Sequence, residues 1–130
     1  LAAIVFLSLS EVLHIHQDQL QRYGGMAGVR DLDLLKSALA MPSASFAGHF
    51  LHTTLQEMAA AYLFHLVKNH PFIDGNKRVG AAATLVFLLL NGTEFCASSD
   101  NLASFVIALA EGKVGKAEAT LFIEKWAQAL

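Results

Sequence analysis

Apolar side chains recur at helical spacing in six stretches of this chain, and each stretch is bounded by residues that start or stop helices. Ser8 and Glu11 form an S-x-x-E capping box ahead of a first helix expected to reach about Tyr23, with Val12, Ile15 and Leu20 facing inward. The YGG at 23–25 stops it. Asp31 suits the N-cap of a second helix that carries Leu32, Leu35 and Leu39 on one side and ends at Pro42. Thr54 and Glu57 repeat the capping box before a third helix to about Asn69. Pro71 closes that helix, because a residue preceding proline avoids the α region. A fourth helix is expected from near Asn76 to the Asn91-Gly92 stop, a fifth from Ser98 or Ser99 to near Gly112, and a sixth from about Lys116 to Ala129.

Strand signal is thin. The segments IVFLS, near the start, and TEFCA, after the fourth helix, are candidates for one short two-stranded pairing. The fold class is therefore all-α or nearly so, a compact six-helix bundle. The 130 residues suit a single domain spanning 1–130, with no repeat, linker or low-complexity segment. At 55% hydrophobic and 15% charged, the composition excludes disorder. The most apolar run, residues 79–90, is shorter than the ~20 residues a membrane span needs and is broken by Gly80 and Thr84. It reads as a buried helix, with no membrane partner expected.

A net charge of −2, with no basic run, argues against nucleic acid as a direct partner. The single cysteine, Cys96, excludes an internal disulfide and a cysteine-based zinc site. The apolar start lacks a basic leader region, so a cytoplasmic location is expected.

Against this apolar background, NHPFIDGNKR at 69–78 concentrates versatile chemistry between the third and fourth helices. Imidazole titrates near neutral pH, which suits His70 to general-base work. Asp74 is a hard oxygen ligand of the kind Mg²⁺ accepts beside phosphates. Gly75 lets the backbone turn sharply or approach a ligand closely. Asn76, Lys77 and Arg78 open the next helix, where free N–H groups favour an anion and the two cations add phosphate donors. A base, a metal ligand and a phosphate cradle are the parts of phosphoryl or nucleotidyl transfer. Taken singly, each residue also suits a plain inter-helix turn, so the physics leaves an anion site and a structural turn evenly matched.

The turn resembles the signature of the Fic/Doc superfamily, H-x-F-x-[D/E/N]-[G/A]-N-x-R, at His70, Phe72, Asp74, Gly75, Asn76 and Arg78. Lys77 is similar to the Doc branch, where Fic adenylyltransferases usually carry a second glycine. RYGG, GVRDLDLLKSALAMP and LVFLLLNGTEF extend the likeness over nearly the whole chain. The resemblance implies a Fic/Doc-like helical domain that acts as a toxin of a type II toxin–antitoxin pair. It implies ATP and Mg²⁺ as substrate and cofactor, a translation factor such as elongation factor Tu as target, and a Phd-like antitoxin as partner. By position, His70 would deprotonate the target hydroxyl and Asp74 would hold Mg²⁺. Gly75, Asn76, Lys77 and Arg78 would receive the phosphates. Because Lys77 crowds the space a glycine leaves, transfer of the γ-phosphate is expected over transfer of AMP. Adenylyl transfer and a non-catalytic antitoxin-binding module are the alternatives. The inhibitory motif [S/T]-x-x-x-E-[G/N] is not evident, so control is expected from a separate protein.

Other candidates read as structural. His49 and His52 lie in an expected loop without a third ligand. His14 and His16 point to different helix faces, and His65 reads as a core or capping histidine. Lys68 reads as a solvated helix end, and Trp126 as packing for the last helix. Residues 43–52 stand where family members carry a substrate-positioning flap, and loop and flap are equally open.

Overall fold

The computed structural model describes residues 3–130, and the element order follows the caps. The helices are α1 (Leu9–Tyr23), α2 (Leu32–Ala40), α3 (Leu55–Asn69), α4 (Asn76–Leu90), α5 (Ser99–Ala110) and α6 (Lys116–Trp126). The short strands are β1 (Ser45–Phe46), β2 (His49–Phe50), β3 (Thr93–Phe95) and β4 (Ala127–Ala129). Ser8 and Glu11 make the full reciprocal capping box on α1. On α3 the box is shifted: Thr54 caps the Glu57 N–H, but the Glu57 carboxylate accepts from the backbone of Thr53. Among the described residues no helix is long and apolar enough to cross a membrane.

The bundle is organised around α3, which packs against α4, α6, α2 and α5. Its residues 58–63 are all buried, so the helix is apolar around most of its circumference, as a central helix must be. α3 and α4 pass close together at Gly80, where a Cβ would sit 2.8 Å from Val67 Cγ2. Tyr62 is buried completely, and its hydroxyl accepts the Leu7 N–H at 2.8 Å. Its rings neighbour Phe87, which in turn stacks on Phe6.

Strand pairing differs from the expectation. IVFLS does not pair with β3. The Asn91 amide takes the place of a strand, accepting from Val5 N at 2.8 Å and donating to Val5 O at 2.9 Å. The partner of β3 is β4, antiparallel, with Thr93 opposite Ala129 and Phe95 opposite Ala127. The sixth helix accordingly stops at Trp126 rather than Ala129, because the last residues extend to make this ladder. A second hairpin, β1–β2, turns through Ala47 and Gly48 at φ 53° and 80°, two positive values that match the twist of a two-residue hairpin. Its residues 43–52 precede α3, whereas His70 follows it. A 15-residue helix is about 22 Å long, so this hairpin stands at the far end of α3 from the turn. Another segment, residues 24–30, covers the turn instead.

A half-buried seam joins the segment before α3 to the start of α6. Lys116 Nζ lies 3.4 Å from His52 Nε2, and His65 Nε2 has no hydrogen-bond partner among the described residues. Burial, then Lys116 and His52, push the His65 imidazole down to about 4. In the unfolded chain it titrates near 6.5. Between these values the unfolded state binds more protons, so stability rises with pH. Stability should thus be level above about pH 6.5, decline as pH falls toward 4, and flatten below. The partial exposure of the ring limits this to about 1–2 kcal/mol. Denaturant titrations of wild type and His65→Leu across this range check it, with the decline reduced in the variant.

Candidate active site

The turn between α3 and α4 is built from the backbone outward. Asn69 ends α3 and ties it to α2 by donating from Nδ2 to Leu34 O at 3.0 Å. His70 follows in the left-handed region, φ 50° and ψ 53°, unusual for a residue with a Cβ. Pro71 and Phe72 are buried, and Phe72 is entirely out of solvent. Asn76 then closes the turn. Its Oδ1 accepts from Phe72 N at 2.9 Å, and its Nδ2 donates to Phe72 O at 3.0 Å. Both ends of the amide are engaged, so what Asn76 offers an anion is its backbone N–H.

Phe72 stacks nearly parallel on His16 of α1, with ring centres 3.9 Å apart. His16 Nε2 donates to the Asp74 carbonyl at 2.9 Å, which places a proton on that nitrogen. The Asp74 carboxylate accepts from Met26 N at 3.0 Å and Gly75 N at 2.8 Å. These two N–H donors, with Arg78 adding to them, hold its pKa below the ordinary carboxylate value, so Asp74 is ionised at neutral pH. Gly75 takes φ 81°, and no side chain caps the start of α4. The first turn of α4 carries no acid, only Lys77 and Arg78, and free N–H groups beside two cations are an arrangement that suits an anion. Arg78 also lies over the Tyr23 ring, 5.9 Å from its centre.

All six expected site residues line one pocket of about 440 Å³: His70, Asp74, Gly75, Asn76, Lys77 and Arg78. Val67, Lys68, Ile73 and Ala110 complete it. His70 and Lys77 are exposed at its walls. Asp74 is a single carboxylate, and among the described residues no three metal-binding side chains cluster. That donor set fits Mg²⁺ held by one carboxylate and substrate phosphates rather than by an all-protein cage.

Several contributors lie outside the motif. Residues 24–30 form a strap across the turn. Arg30 N and Asp31 N donate to Pro71 O, Ile73 N donates to Gly28 O, and Val29 bridges Phe72. Gly25, at φ 123°, passes so close that a Cβ would meet Asp74 Oδ2 at 2.8 Å and Arg78 Nη2 at 3.1 Å. The Arg30 guanidinium donates to His70 O at 2.7 Å and Asn69 O at 3.0 Å. The sequence showed the strap only as pieces of the family likeness, RYGG and GVRD. The contacts of Arg30 and His16 were not visible there, because their partners are backbone carbonyls distant in the chain.

The sequence that builds this site has known relatives. The model of the Fic/DOC family matches residues 6–88. The chain belongs to that family, and its relatives are of the Doc type. It is 42% identical over 78 residues to "Toxin Doc" of Mycolicibacterium smegmatis, covering 60% of either chain. It is 31% identical over 108 residues to "Protein kinase doc" of Escherichia phage P1, covering 83% of this chain and 84% of that one. The matched region thus spans three fifths of the mycobacterial protein.

The Asn76 pairing makes a definite prediction. Asn76→Ala strands a buried N–H and a buried C=O on Phe72, so it should lower stability by about 2–4 kcal/mol, measured by urea denaturation. A conservative Asn76→Gln, with its longer arm, should not restore it.

Proposed function

We propose that this protein is a Doc-type toxin kinase that transfers the γ-phosphate of ATP to a hydroxyl of a translation factor, with elongation factor Tu the first candidate. The observation that carries this reading is one pocket wall holding a histidine, an ionised aspartate and an uncapped helix start with Lys77 and Arg78. His70 accepts the proton of the target hydroxyl as its oxygen attacks the γ-phosphorus. The bond from that phosphorus to the bridging oxygen breaks, and ADP leaves. Lys77, Arg78 and the first N–H groups of α4 stabilise charge on the transferring group. Asp74 would hold Mg²⁺, which neutralises charge on the phosphates when bound. Growth arrest would follow from halted translation.

Lys77 favours phosphoryl over adenylyl transfer. In the latter, the β and γ phosphates must fill the helix-start nest as leaving group, and the lysine side chain narrows it. ATP labelled at the γ position should mark the target, and ATP labelled at the α position should not. His70→Ala should reduce label transfer by about 10²–10⁴ and abolish growth arrest. Label from the α position would make the protein an adenylyltransferase. A His70→Ala protein as toxic as wild type would leave only a binding module.

A groove of about 480 Å³ between α1, α4 and α5 supports a partner as well. Ala81, Ala82, Leu85, Leu102 and Val106 line it, and it ends on Lys77 and Arg78. An apolar trough with a cationic end suits an amphipathic helix carrying an acidic residue, the chemistry expected of a Phd-like antitoxin. Ile107, on the groove and 49% exposed, offers a surface test. Ile107→Glu should keep toxicity and lose neutralisation by the co-encoded antitoxin, scored by growth on co-expression.

A further inference from the structure

The carbonyls of Asn69 and His70 are the last acceptors of α3, and at an exposed helix end water satisfies such groups. A guanidinium is therefore not needed there for hydrogen bonding alone. Arg30 nevertheless engages both with one side chain, Nε on His70 O and Nη2 on Asn69 O. A planar fork gripping two successive carbonyls fixes the two peptide planes relative to each other. The residue between those planes is His70, whose left-handed backbone carries a steric penalty for any residue with a Cβ. Pro71 disfavours the right-handed alternative, so a released His70 relaxes toward extended backbone. That rotation swings the Cα–Cβ bond and carries the imidazole away from the pocket.

We infer that Arg30 is a positioning residue that holds the His70 base in its productive orientation by clamping the His70 backbone from beneath. The inference rests on the proposed role of His70. The same strap that brings Arg30 to His70 also brings the Met26 N–H to Asp74, so one segment sets base and carboxylate together. Arg30 is not among the residues that line the pocket. Proton transfer requires the base within about 3 Å of the hydroxyl, and misplacement by about 1 Å costs on the order of 10²-fold in rate. Loss of the clamp thus acts on kcat and leaves nucleotide binding intact, because the backbone bonds of the strap to Pro71 and Ile73 do not use the Arg30 side chain and keep Met26 N on Asp74.

The test compares wild type, His70→Ala, Arg30→Lys and Arg30→Gln, using γ-labelled ATP and elongation factor Tu. It adds ¹H–¹³C spectra of the imidazoles, with the His70 signal assigned from its absence in His70→Ala. Arg30→Gln should lower kcat at least tenfold with KM for ATP within twofold. Arg30→Lys, which keeps the charge and one donor, should recover part of the loss. The His70 signal should shift or broaden in Arg30→Gln while those of the other five histidines stay. A kcat within twofold of wild type, or an unmoved His70 signal, overturns the inference while leaving the role of His70 standing. If wild type labels nothing, the kinase reading fails on that arm, and the spectra decide the clamp alone. Should Arg30→Gln not fold, Arg30→Lys carries the same comparison. A shift of all six histidines in it would mark a general structural role and overturn the proposal.

Discussion

The reciprocal pair between the Asn76 amide and the Phe72 backbone is the constraint on which the rest of the turn depends. It closes the chain on itself between two long helices and fixes where α4 begins. With that start fixed, the free N–H groups, Lys77 and Arg78 fall on the same side as His70. Burial makes the pair strong: Phe72 is out of solvent and Asn76 nearly so, and little water is at hand to replace the bonds if they open. The site is thus set by a structural bond between two residues that do little chemistry themselves.

A second layer keeps the chemical groups aimed. Asp74 is held from three directions: by His16 on its carbonyl, and by Met26 and Gly75 on its carboxylate. Among the described residues no hydrogen bond supports the His70 ring; its geometry is set through its backbone by Arg30. The strap supplies one donor to each, and its glycines let it lie close. Adding even a Cβ at Gly25 would drive it against Asp74 and Arg78.

The helices were legible because their ends are written in residue types. Ser8, Asp31, Thr54 and Ser98 each cap the helix expected of them. The turn was legible for the same reason, as a dense local motif in an apolar chain. The β3–β4 ladder was not, because Ala127–Ala129 carries no strand pattern and pairs only through proximity to Thr93–Phe95. The strap was missed on similar grounds. Arg30 looks like any exposed arginine until α3 ends beside it, and residues 43–52 stayed open as loop or flap because the length of α3, which separates them from the turn, was not taken into account.

Lys77 and Arg78 stand on the wall shared by the pocket at the turn and the apolar groove. Two cations cannot be fully neutralised from both sides at once. An anion in the pocket and an acid-bearing occupant of the groove therefore contend for the same charge. Linkage requires the antagonism to be mutual: whatever one costs the other in affinity, it forfeits by the same factor. Under the proposed function, the response to a groove ligand would therefore be tied to nucleotide concentration, and the fraction held silent would fall as nucleotide rises.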